Sequence, residues 1–188
     1  METESIQLSD LPPDLAKIMS YWTDLCADRP APAWRDIDLV QFPSRLLPMT
    51  MVIDIMQPLE KSVFRFWGSE LTWIHGVEMT GKHPYDLKPV AFGQQLRIDH
   101  QDIVDHRRPN ANHYSFMTRH GYMHAHTALR VPIMNDSETV SQIIVVIDFS
   151  PEALARIRNT GSTYAEIYET QEPVAKLHHY TDVSSLTF

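Results

Sequence analysis

The chain has 188 residues, 43 % of them apolar, and a formal net charge of −8. That length and composition suit one folded domain with flanking helices and exclude a disordered segment. Acidic residues outnumber basic ones and no Lys/Arg run occurs, so nothing supplies the attraction that nucleic acid or an anionic membrane surface would need. The single cysteine, Cys26, rules out an intrachain disulfide and CxxC-type zinc sites. No apolar run approaches membrane-spanning length, and the acidic residues 1–4 are not followed by an apolar stretch. A cytoplasmic protein without a signal peptide is expected.

In chain order, residues 9–28 predict an amphipathic helix. Ser9 or Asp10 can cap it, Pro12 and Pro13 sit in its first turn, and Leu15, Ile18, Met19, Trp22, Leu25 and Cys26 share one face. A second short helix is expected over 36–45. Residues 49–56 and 62–67 read as strands joined by a turn. Gly68 breaks the second; 69–75 is a short helix closed by Gly76, 81–89 is irregular, and 90–106 is a longer helix with Phe92, Leu96, Ile103 and Val104 as apolar positions. Residues 113–119 and 122–134 predict a hairpin turning at His120 and Gly121. After a polar turn, 139–149 is a strand, apolar on both faces over 143–147 and therefore central. Ser150 and Pro151 start a helix over 153–158, and another short one is expected around 165–167. Tight turns make neighbouring strands antiparallel, so the fold class is α+β.

Helix, two strands, short helices, a longer helix and three strands is the order of a PAS domain. Several segments resemble one single-domain PAS family common in alphaproteobacteria. The residues that carry the likeness are Tyr21 and Trp22; 34–38, Trp-Arg-Asp-Ile-Asp; Leu47 and Pro48; and 64–69, Phe-Arg-Phe-Trp-Gly-Ser. To these add Gly76 with 79–82, Met-Thr-Gly-Lys, and 129–133, Leu-Arg-Val-Pro-Ile, through 147–150, Ile-Asp-Phe-Ser. The chain departs from the family pattern at Trp67 and Ser69, where the family has an aliphatic residue and Thr, and at Val131 and Ile133, where it has Leu. The resemblance spans 15–150. It implies a PAS-like antiparallel sheet of about five strands around a small cavity, with helices packed on one face. It also implies sensing or dimerisation more than chemistry. The expected division is 1–28, the N-terminal helix, for dimerisation or for capping its own sheet; 29–150, the PAS-like domain; and 151–188, a C-terminal helix and tail.

Four histidines, His113, His120, His124 and His126, fall in the predicted hairpin. His124 and His126 share a strand face and could hold a metal, but a third ligand is not evident; the alternative is a solvated face opposite Met123, Ala125, Leu129 and Val131. No metal is expected, and His178 and His179 are expected in solvent. Cys26 reads as a buried thiol on the helix's apolar face. Light-sensing PAS domains attach flavin through a cysteine in the region matching 76–89; no cysteine occurs there. Residues 76–82 resemble a phosphate loop, but His83 replaces the Ser/Thr that would hold magnesium, so a structural loop is expected. The aromatics Phe64, Phe66, Trp67, Trp73, Tyr114 and Phe116 form core or line a pocket. Arg65, alternating with Phe64 and Phe66, is an exposed charge or a carboxylate anchor.

These observations read as a stand-alone sensor or adaptor, because no kinase, cyclase or helix-turn-helix output domain fits the remaining residues. Its output is expected to pass to a signalling partner or to self-association. A mostly apolar cavity is expected to be lined by Phe66, Trp73, Leu96 and Phe116, with Arg65 or a histidine such as His124 as polar contact for a small apolar or amphipathic ligand. No cofactor is named and no residue is assigned a catalytic role. A homodimer is expected through Leu15, Ile18, Met19, Trp22 and Leu25. The rivals are a small isomerase or hydrolase on a cone-like α+β fold, and an interaction module without a cavity. A close carboxylate–imidazole pair in a cavity favours catalysis; a dry aromatic cavity favours sensing.

Overall fold

A strand can be apolar without interruption only where both its faces are covered. In the computed structural model of the chain, which describes residues 2–88, 90–117, 123–136, 138–160 and 176–177, the apolar run 143–147 is the middle of β6 (Val140–Phe149). The side chains of residues 2–5, 8, 116, 117, 123, 124, 160, 176 and 177 lie outside that description. β6 runs between β2 (Thr50–Asp54) and β5 (Met123–Met134); β3 (Val63–Trp67) borders β2, and β4 (Asn110–Met117) borders β5. All four pairings are antiparallel, in the order β3-β2-β6-β5-β4. The first hairpin, helices across one face, and a three-stranded return beside the first strand make a PAS-like α+β fold. Two strands extend the sheet: β1 (Glu2–Ser5), antiparallel to β4, and β7 (Lys176–Leu177), parallel to β1. Neither has an alternating apolar pattern, so sequence periodicity does not reveal them.

Alternate residues of β6 face two separate cores. Ile143, Val145, Ile147 and Phe149 meet α2 (Ser69–His75), α3 (Val90–His106) and α4 (Pro151–Thr160). Ile144 and Val146 meet α1 (Pro13–Cys26). Helices therefore cover both faces: α2, α3 and α4 one, and the N-terminal amphipathic helix the other. The expected dimer stripe is part of the second core. Leu15, Ile18, Trp22 and Cys26 are buried against Leu129, Val131 and Ile133 of the chain's own sheet, and Trp22 Nε1 donates to the Pro132 carbonyl at 2.9 Å. Met19 and Leu25, the other two residues of the stripe, are partly buried. Cys26 is buried as expected, and burial pushes its thiol up to about 11.

The helix expected over 36–45 is replaced by three short 3₁₀ turns, Trp34–Asp36, Leu39–Gln41 and Leu47–Met49, because Pro43 and Pro48 interrupt any longer ladder. The loop that resembles a phosphate loop is structural. Gly81 N and Lys82 O bond the backbone of Phe64 at 2.7 and 3.0 Å, covering the β3 edge. The predicted turn at His120 and Gly121, the helix around 165–167, and His178 and His179 lie outside the described residues. Among those described, no helix is long and apolar enough to cross a membrane.

Two histidines are buried whole on the α2–α4 side. His75 packs edge-on against Trp67 and Phe92, and His100 Nδ1 lies 3.3 Å from the Tyr85 hydroxyl. Burial disfavours the imidazolium. It pushes His75 down to about 4, against a hydrogen bond with the Lys88 backbone that favours the charged form. It pushes His100 down to about 3, helped by the Arg130 guanidinium and opposed by Asp99.

Three outcomes are expected. Ile18→Ala should destabilise the protein by about 2–5 kcal/mol in a urea titration without changing its hydrodynamic size; loss of an oligomer at unchanged stability would contradict packing on its own sheet. Gly93→Ala would gain about 1 kcal/mol in an exposed helix, but a Cβ there would stand 2.3 Å from the Tyr85 carbonyl oxygen. The expected result is a net loss of about 1–3 kcal/mol, and a raised midpoint would refute it. The third concerns pH. The unfolded chain protonates His75 and His100 near the ordinary value of about 6.5. Below that pH, and above the folded values, the unfolded state holds more protons. Stability is therefore full above about pH 6.5 and declines as pH falls. Going from pH 7 to pH 5 should cost about 2 kcal/mol per histidine, seen as a lowered urea midpoint.

Candidate functional site

The α2–α4 side of the sheet is built in cross-strand rows. Tyr114, His126 and Phe149 are direct neighbours on β4, β5 and β6, and their rings stand 5.1 and 4.8 Å apart. The row four residues along is Asn110, Arg130, Val145 and Met51. Between them lies Asn112, Ala128, Ile147. Ala128 is the small residue between an imidazole and a guanidinium on its own strand, so the sheet surface dips there. Above it pass Phe92, Gln95, Leu96 and Asp99, the inward face of α3 at helical spacing, with Leu71 and His75 from α2. The space between them is a cavity of about 50 Å³. A water needs at least about 10–15 Å³ of such space, so a few waters or a few ligand atoms fit as it stands.

One end of the cavity is polar. Asp99, fully buried on α3, faces Arg130, whose side chain is 3 % exposed, at 2.8 Å from Nη2 to Oδ2. The same oxygen accepts from the Tyr114 hydroxyl at 2.5 Å, while Oδ1 accepts from Gln95 Nε2 at 2.9 Å and Asn112 Nδ2 at 3.3 Å. Arg130 Nη2 also donates to the Tyr114 oxygen, and its guanidinium lies 5.5 Å from the centre of that ring. Burial and the nearby Asp99 raise the Tyr114 phenol, against the Arg130 charge, so it remains a donor. Four side chains from one helix and two strands thus satisfy a single carboxylate. Among the described residues no three His, Cys, Asp or Glu side chains come together as a metal site.

Of the predicted lining residues, Leu96 reaches the cavity. Phe66 and Trp73 do not; they are 39 % and 42 % exposed. Phe66 is displaced by a β-bulge. Val52 pairs with Phe66 and Ile53 with Phe64, leaving Arg65 as an extra residue. The extra residue inverts the alternation, so Trp67 instead of Phe66 shares the inner face with Phe64. Arg65 lies on the opposite side, bonded to Asp54 Oδ1 at 2.7 Å and 5.6 Å from the Trp34 ring centre. It is no cavity anchor. Trp73 sits on the outer side of α2, while Leu71 and Ile74 face in. Phe116 and His124 are opposite one another on β4 and β5, and their side chains lie outside the described residues.

The sequence reading missed Arg130, Asp99, Tyr114 as a polar group, and His126 as a buried one. Two signals were present. Asp99 and His100 occupy the inward stripe between Leu96 and Ile103, and Arg130 is the one charge in the strand run 127–134. Reading the His124 and His126 face of β5 as solvated hid Arg130, which lies on the same face.

No protein-family model and no curated protein matches the sequence. Among solved structures, the chain is similar to a light-oxygen-voltage domain studied with a flavin analogue (TM-score 0.40, 9 % identity, 59 % of this chain and 84 % of that one). It is similar to an RNA-binding light-oxygen-voltage receptor (0.45, 12 %, 85 % and 41 %). It is also similar to the PAS domain of a Colwellia psychrerythraea protein (0.39, 8 %, 55 % and 88 %). Similarity this remote says nothing of ligand or activity. The PAS-like fold stands on the chain's own strand order and connections.

Proposed function

We propose that the chain is a sensor or adaptor module in signalling. Its cavity between sheet and α3 takes a compact ligand, and its output passes to a partner protein or a second copy. The observation that carries this reading is the Asp99–Arg130–Tyr114 cluster at the end of an otherwise apolar cavity. A buried ion pair is a poor way to stabilise a core, since well-packed apolar residues of similar volume do as well or better. What it adds is a discrete, directional link between α3 and β5 that a molecule in the cavity would touch. A few convergent polar groups in an apolar concavity is the usual make-up of a ligand site.

The enzymatic alternative needs a carboxylate that activates an imidazole. Here the Asp99 carboxylate accepts from Arg130, Tyr114, Gln95 and Asn112, which use its lone pairs. The cavity's preformed space also falls well below the 300–1,000 Å³ typical of drug-sized ligands. A small ligand, met by adjustment of Met51, Phe92 and Leu96, fits better than a large cofactor.

The test is to fill the dip. Ala128→Leu places three more carbons in the cavity without removing any wall or polar group. Native mass spectrometry of freshly purified protein, followed by a thermal-shift screen of small organic molecules, should find molecules that bind the wild type and not the variant. Equal responses from the two proteins would sink the cavity as the sensing site.

A further inference from the structure

We infer that the cavity selects neutral ligands: compact molecules with an apolar body and one hydrogen-bonding end, in preference to carboxylates or amines of the same size. This deepens the proposed function and rests on the cavity being the ligand site. The inference starts from charge. The guanidinium and carboxylate that face the cavity are Arg130 and Asp99, and they are paired with each other at 2.8 Å. Their charges cancel locally. The remaining titratable groups on the wall are the Tyr114 phenol and the imidazoles of His75 and His126. Burial raises the phenol's pKa and holds His75 neutral, with a pKa near 4.

A carboxylate entering this space would leave one net negative charge against mostly apolar walls. An ammonium would leave one net positive charge. Neither finds a counter-charge unless it breaks the Asp99–Arg130 pair and strands the displaced partner, and an unpaired buried charge is far more costly than a buried hydroxyl with a hydrogen-bond partner. A hydroxyl or amide end can share the polar groups already assembled there, because the Gln95 side-chain amide on the wall can both donate and accept. The apolar body then lies over Ala128 against Leu96 and Ile147. An arginine in a pocket ordinarily suggests a carboxylate ligand; here Asp99 already occupies that place.

The experiment compares three probes of nearly one shape, isobutanol, isobutyrate and isobutylammonium, by two-dimensional NMR titration of the full chain at neutral pH. The expected result is that isobutanol shifts the amide signals of cavity residues at least tenfold more tightly than either ion. Isobutyrate or isobutylammonium binding as tightly as isobutanol, at the same residues, would overturn the charge inference while leaving the cavity as the ligand site. No probe shifting the cavity signals would overturn both. Asp99→Asn leaves Arg130 uncompensated and should move the preference toward isobutyrate by at least tenfold; an unmoved preference in a folded variant counts against the inference. If that variant fails to fold, the wild-type comparison still decides.

Discussion

A sheet covered on both faces leaves its central strands no solvent in which to place a polar side chain. That constraint runs through the whole structure. It makes β6 apolar on both sides and turns the apolar stripe of α1 inward, because the row Leu129, Val131, Ile133 on β5 would otherwise face water. It also means that every charged residue on the inner strands must bring its own partners. Arg130 has Asp99, and Asp99 in turn has Tyr114, Gln95 and Asn112. On the other face Asp148 has Arg45, in a two-pronged contact at 2.7 and 3.0 Å. The buried charges of these strands are thus paired and hydrogen-bonded, as burial requires.

Much of the fold was legible in the sequence because local signals and tertiary demands agree there. The 69–75 and 90–106 helices appear with the predicted boundaries, since Gly76, in the left-handed region at φ 69°, stops the first and the second carries the spacing Leu96, Asp99 and His100, Ile103. The central strand was legible from its run of β-branched residues. What was not legible depends on non-local facts. The bulge at Arg65 has no composition of its own, and it moves Phe66 from the inner face to the outer. The second helical layer changes the meaning of an alternating strand: Ala-His-Thr-Ala-Leu-Arg over 125–130 looks half-solvated until both sides are seen to be covered. The cavity itself follows from Ala128 standing between His126 and Arg130, a juxtaposition with meaning only once β4 and β6 are aligned beside it.

The balance of forces at the polar end of the cavity sets what the site is for. Taking two charges out of water carries a penalty of several kcal/mol per ion, which mutual attraction offsets only with good geometry and additional hydrogen bonds. Both conditions are met here. The pair nevertheless has no evident advantage over Leu and Met in holding α3 to the sheet. Its distinguishing property is specificity of contact: it fixes α3 to β5 at one place and gives the cavity a single polar end.

That polar end connects to the rest of the molecule through three consecutive residues. Phe149 is a cavity wall, its ring tilted against His126 at 4.8 Å. Asp148, pointing the other way, holds Arg45, and Arg45 also bonds Asp14 in the first turn of α1. Ser150 accepts from the Ala153 amide at 3.1 Å and so caps α4. Arg45 is half exposed, so the contact contributes little to stability, on the order of 1 kcal/mol or less; its effect is positional. Because side chains alternate along a strand, Phe149 cannot shift along β6 without carrying Asp148 on the opposite face and Ser150 at the helix start with it. Residues 148–150 therefore join the cavity wall to α1 on one layer and to α4 on the other, so a displacement of the wall is carried to both layers.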